Sequence, residues 1–111
     1  MTKLGPPSVG ISAQIPQGMR DQIDEFGRAS HTNLSESVRR LLHNGLRTAA
    51  IPSGTFDGEP TGISVSVPLE MRNQIDEFGT ANKANRSEAI RLLLHRGLAA
   101  WAAVKAQHAP P

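Results

Sequence analysis

Cysteine and tyrosine are missing from the 111 residues, and there are only one tryptophan and three phenylalanines. Without cysteine, neither a disulfide framework nor a thiolate-bound zinc can form, which fits a reducing compartment. With so few aromatics, any core has to be aliphatic. No apolar run approaches the roughly 20 residues of a membrane span. Residues 1–8 lack the apolar stretch of a secretory leader, so the cytoplasm is the expected location. A strong charge excess is also missing, the formal net charge being +2. A chain that held nucleic acid through bulk charge would be far more basic. Any such binding must rest on placed contacts.

What the chain does have is an internal repeat. Shifted by 52 positions it falls on itself without a gap, with 23 of the 41 aligned positions from 10 to 50 identical. Gln22-Ile23-Asp24-Glu25-Phe26-Gly27 matches residues 74–79, and Leu41-Leu42-His43 matches Leu93-Leu94-His95. The boundaries read as repeats at 9–47 and 62–106, a Gly- and Pro-containing linker at 48–61, and disordered tails at 1–8 and 107–111. A unit of about 40 residues seldom folds alone. Each repeat is therefore expected to complete the other.

Within each repeat the pattern predicts strand, helix, helix. Residues 11–15 and 63–67 alternate apolar and polar with period two, the mark of a half-buried strand. Pro16 and Pro68 end them. Met19, Ile23 and Phe26, like Met71, Ile75 and Phe78, fall on one helical face. Asn33 and Asn85 stand where N-caps belong, with Glu36 and Glu88 three residues on, an arrangement close to a capping box. Gly45 and Gly97 read as possible helix stops, although the Ala-rich run around Trp101 favours continuing the second copy. Gly27 and Gly79 read as close-approach points or frayed helix ends.

A five-residue strand is not stable alone. Pairing the two strands antiparallel would bury Ile11, Ala13, Ile15, Ile63, Val65 and Val67 against the four helices. The other face would then show Gly10, Ser12, Gln14, Gly62, Ser64 and Ser66. The fold class is thus mainly α with a short antiparallel β ribbon. Such a ribbon is one of the shapes that a B-DNA major groove admits, and short polar side chains suit contact with base edges.

Two stretches carry a family resemblance: Ile63-Ser64-Val65-Ser66-Val67-Pro68 and Asn85-Arg86-Ser87-Glu88-Ala89-Ile90-Arg91, with copies at 11–16 and 33–39. They resemble the ribbon-helix-helix superfamily of MetJ-, Arc- and CopG-like DNA-binding proteins. The resemblance implies a tandem ribbon-helix-helix chain folded as an intrachain pseudo-dimer. It also implies base contacts from Ser12, Gln14, Ser64 and Ser66, with Gly10 and Gly62 allowing close approach. Phosphate contacts would come from Asn33, Leu34 and Ser35, and from Asn85, Arg86 and Ser87 at the other second-helix N-terminus. Most members are dimers of single repeats, so the duplication is a departure. Leu34 is another, standing where a basic or polar residue is common, which makes the first clamp the weaker. Gln14 differs from Ser66, so the expected partner is double-stranded DNA with an imperfect inverted repeat.

Plainer readings fit several of these residues. The Ser/Val alternation alone would fit an ordinary edge strand. Asp24-Glu25 and Asp76-Glu77 point in different directions on a helix and suit a solvated face better than acid–base chemistry. His43 and His95 suit surface positions better than a shared metal. Arg39, Arg91 and Arg40 can reach phosphates or Glu36 and Glu88. Trp101 can pack its helix on the core or join neighbouring molecules along DNA. No nucleophile–base pair, phosphate loop or metal-ligand spacing is present, so neither an enzyme nor a cofactor is expected. The leading role is a transcriptional repressor. Tandem chains of this kind also resemble TraY-type relaxosome proteins, which would make a relaxase a partner and place the chain on a plasmid rather than elsewhere in the nucleoid. An antitoxin and a pairing module without a DNA role rank lower.

Overall fold

A computed structural model describes residues 8–48 and 55–108. The elements are β1 (Ser8–Pro16), α1 (Gln17–Ser30), α2 (Leu34–Arg47), β2 (Pro60–Pro68), α3 (Leu69–Ala81) and α4 (Arg86–His108). The fold is mainly helical, with one two-stranded antiparallel sheet. In that sheet Ser12 faces Ser64, its own counterpart in the repeat, with Ser8 opposite Pro68 and Pro16 opposite Pro60 at the ends.

Both strands are longer than the alternation alone indicated, and the element boundaries move accordingly. Ser8 belongs to β1 rather than to a tail, and Pro60 and Thr61 belong to β2 rather than to the linker. The period-two pattern is blurred there, because Thr61 and Val9 are only half-buried. Residues 1–7, 49–54 and 109–111 of the expected tails and linker lie outside the described residues. Gln107 and His108, assigned to a tail from sequence, continue α4. Pro16 and Pro68 end their strands as expected and then open the following helices. Pro16 holds φ at −63° and ψ at 147°, extended backbone that turns directly into α1.

Every second strand residue is buried: Ile11, Ala13, Ile15 and Ile63, Val65, Val67. They join Ile23, Val38, Leu41, Leu42, Ile75, Ile90, Leu93 and Leu94 in one core, with Met19 and Phe26 at its edge. Full burial of one such aliphatic side chain contributes about 1.5–3 kcal/mol. The core is shared. Neither half has one of its own.

Gly45 and Gly97 are not helix stops. A Cβ on Gly45 would run into the backbone carbonyl of Leu93, and one on Gly97 into that of Leu41, its counterpart. The two glycines mark where α2 and α4 cross backbone against backbone. α2 runs on to Arg47 and α4 to His108. Gly27 and Gly79 are also close-approach points. A Cβ on Gly27 would lie 2.7 Å from Ser37 Oγ, and one on Gly79 would lie 2.8 Å from the Ala84 carbonyl oxygen. The left-handed residues that follow α1 and α3 are His31 (φ 57°) and Lys83 (φ 55°), again equivalent positions.

Part of the segment between the repeats is built into the fold. The carbonyls of Glu59 and Asp57 accept hydrogen bonds from the N–H groups of Gln17 and Gly18, at 2.9 and 2.7 Å. These are orphan donors of the first turn of α1, where Pro16 has no side chain to cap them. Phe56 then sets its ring against His95, with centroids 4.8 Å apart.

Candidate nucleic-acid interface

The face of the ribbon turned away from the core carries Gly10, Ser12, Gln14, Gly62, Ser64 and Ser66, all exposed. The register sets Gly10 opposite Ser66 and Gln14 opposite Gly62, flanking the central Ser12–Ser64 pair. Each end of the ribbon therefore presents one polar side chain beside one glycine. These glycines differ from the other described ones. A Cβ on Gly10 or Gly62 would meet nothing within 4 Å, and neither residue has a positive φ. Among the described residues nothing requires glycine there, and a strand is slightly weakened by it.

Beside the ribbon stand the starts of α2 and α4. Asn33 accepts the Glu36 N–H at 2.8 Å, and Asn85 accepts the Glu88 N–H at 2.8 Å. Both expected caps are in place. In the second copy Glu88 answers by accepting the Asn85 N–H at 3.1 Å, which completes the capping box. In the first, Glu36 turns away to Arg39 and Arg40. Among the described residues no acceptor takes the N–H groups of Leu34 and Ser35, or of Arg86 and Ser87. Two helix starts thus point free donors outward beside the ribbon, and the helix dipole adds partial positive charge. Ser87 lines one shallow concavity together with Ser12, Gln14, Gly62 and Ser64. The structure therefore brings Ser87, one expected phosphate contact, beside four expected base-contact residues.

Leu34 and Arg86 each have a partner inside the molecule. Leu34 packs against the core and offers only its N–H. Arg86 is held in a two-pronged pair by Asp76 on α3, Nε to Oδ1 at 2.9 Å and Nη2 to Oδ2 at 3.0 Å. That pair lowers the Asp76 pKa and raises that of Arg86. The guanidinium is thus ion-paired within the chain while staying half-exposed.

Two arginines brace the ribbon from the second helices. Arg39 Nη1 donates to the carbonyl oxygen of Ser66 at 2.9 Å, and Arg91 Nη1 donates to that of Gln14 at 3.0 Å. Each runs from the second helix of one repeat to the strand of the other. Sequence reasoning offered only phosphates or the nearby glutamates for these side chains. The available signal was that Arg39 and Arg91 are identical while the next pair, Arg40 and Leu92, is not. Arg39 also pairs with Glu36 at 2.9 Å, and Arg40 with Glu36 at 3.1 Å. The two arginines lower the Glu36 pKa by hydrogen bonding, Arg39 first.

His43 and His95 have separate neighbours, Arg47 for the one and the Phe56 ring for the other. Among the described residues no cluster of three or more His, Asp or Glu could hold a metal ion, and no helix is long and apolar enough to cross a membrane. Comparison with protein-family models, curated proteins and solved structures finds no match.

Proposed function

We propose that the chain is a sequence-specific double-stranded DNA-binding protein, a tandem ribbon-helix-helix pseudo-dimer that lays its ribbon in the major groove. The observation that carries this reading is the exposed ribbon face. It holds small polar side chains at every second position and two glycines whose missing Cβ leaves room for something outside the chain. A major groove roughly 12 Å wide accepts a two-stranded ribbon with one face toward the bases. Ser12, Ser64, Ser66 and Gln14 can then reach base edges, and Gln suits bidentate contact with adenine.

The two helix starts flank the ribbon where the phosphate chains would run. Their outward N–H groups, with the Ser35 and Ser87 hydroxyls and the Asn33 and Asn85 amide nitrogens, suit phosphate oxygens. Such contacts position the protein, and the ribbon specifies the sequence. A repressor that occludes a promoter is the simplest role for a compact reader of this kind.

Selection of bound sequences from random duplex DNA tests the reading. The expected result is an imperfect inverted repeat, and Gln14→Ala should weaken binding by about 1–3 kcal/mol at one half-site only. The salt dependence should correspond to about four to six phosphates. Recovery of no preferred sequence, or a Gln14→Ala loss spread evenly over both halves, would count against it.

A further inference from the structure

The ends of the ribbon are alike in shape but not in ion pairing. At the Ser66 end, Arg39 divides its guanidinium between the Ser66 carbonyl and the Glu36 carboxylate. At the Gln14 end, Arg91 divides its own between the Gln14 carbonyl at 3.0 Å and Ser87 Oγ at 3.4 Å. Glu88, which could have matched Glu36, is turned to the Asn85 N–H. Among the described residues no carboxylate pairs with Arg91. Arg86, a second cation at that helix start, is held by Asp76.

We infer that Arg91 is both the phosphate-facing cation of the stronger DNA half-site and the residue that positions Gln14 for base reading. The inference rests on the DNA-binding proposal and deepens it. Arg91 ties the hydroxyl of the helix start to the backbone of the reading strand, so the phosphate register and the base register are set by one side chain. Its charge is left for the duplex. Arg39 braces Ser66 in the same way, but Glu36, which Arg40 shares, holds its guanidinium. The working halves of the protein therefore do not coincide with the sequence repeats. One half-site meets the first strand and the α4 start; the other meets the second strand and the α2 start. The bound chain has a polarity.

The test uses the selected duplex and compares Arg91→Ala, Arg91→Lys and Arg39→Ala in the full chain, with thermal unfolding confirming that each folds. Arg91→Ala should lower the slope of log affinity against log salt by about one, the contribution of one phosphate cation. It should also relax discrimination at the base pair whose identity Gln14→Ala makes irrelevant. Arg91→Lys should keep the slope yet still relax that discrimination. Arg39→Ala should leave the slope unchanged and relax discrimination at the opposite half-site. Equal slope changes for the two alanine variants, or relaxation by Arg91→Ala at the Ser66 end, would overturn the inference while leaving DNA binding intact. Failure of the unaltered chain to select any duplex would overturn both, and it is seen before either arginine is changed.

Discussion

Trp101 stands edge-on to Phe26, with ring centroids 5.3 Å apart and planes at 90°. Lys105 lies over the indole, 4.1 Å from its centroid, and reaches Glu25 at 3.5 Å. The extra turns of α4 thus fold back on α1 of the other repeat. This contact belongs to one side only, since the counterpart of Phe26, Phe78, is covered by Arg96 at 5.1 Å. An edge-to-face pair adds about 0.5–1.5 kcal/mol to the burial itself. Trp101→Ala should therefore cost about 1–3 kcal/mol in urea unfolding, below the ~3–5 kcal/mol of a fully buried Trp. A cost near zero would show that the helix end does not dock.

Gly45→Ala and Gly97→Ala each place a methyl group on a facing helix carbonyl. Backbone cannot swing aside as a side chain can. The loss in unfolding free energy should reach or exceed the upper end of the ~1–3 kcal/mol typical of overpacking. If these were merely helix-interior glycines, the same changes would stabilise by about 1 kcal/mol. The sign of the change decides.

Gly10→Ala and Gly62→Ala should behave in the opposite way. Their Cβ atoms would enter open space, so stability should stay level or rise by about 0.5–1 kcal/mol. DNA affinity, measured on the same samples, should fall. Unchanged affinity would mean that nothing approaches the ribbon closely.

Glu36 and Asp76 titrate below their ordinary values of 4.5 and 3.8, because Arg39 and Arg40, and Arg86, hydrogen-bond to the charged forms. In the window under those ordinary values the unfolded chain binds more protons than the folded one. This part of the stability is complete at neutral pH and is lost as pH falls through the lowered values. Both groups are well solvated, so the effect is small. Unfolding midpoints measured from about pH 7 down to about pH 3 should fall in the acid range. Asp76→Asn should flatten that fall, and an unchanged pH profile would show that the Asp76–Arg86 pair does not hold in solution.

The ribbon was legible in the sequence because a strand with one buried face must alternate, and Ile11 to Ile15 and Ile63 to Val67 do so without a break. The caps were legible because Asn33 and Asn85 act on N–H groups three residues away, a local relation. Gly45, Gly97, Arg39 and Arg91 were not legible. Each is explained by a partner on a distant element: Leu93, Leu41, Ser66 and Gln14. Periodicity reports which face of a helix is buried, and it says nothing of how near two backbones come. The fate of Arg86 was hidden for the same reason, since Asp76 lies ten residues away and across a turn.

Both strands of the ribbon come from one polypeptide, and this bears on how the protein can diverge. In a ribbon made by two identical chains, any codon change alters both edges together, and asymmetry is out of reach. Here a mutation at Gln14 leaves Ser66 as it was, and one at Leu34 leaves Arg86 alone. A single gene can therefore change one edge while the other stays as it was.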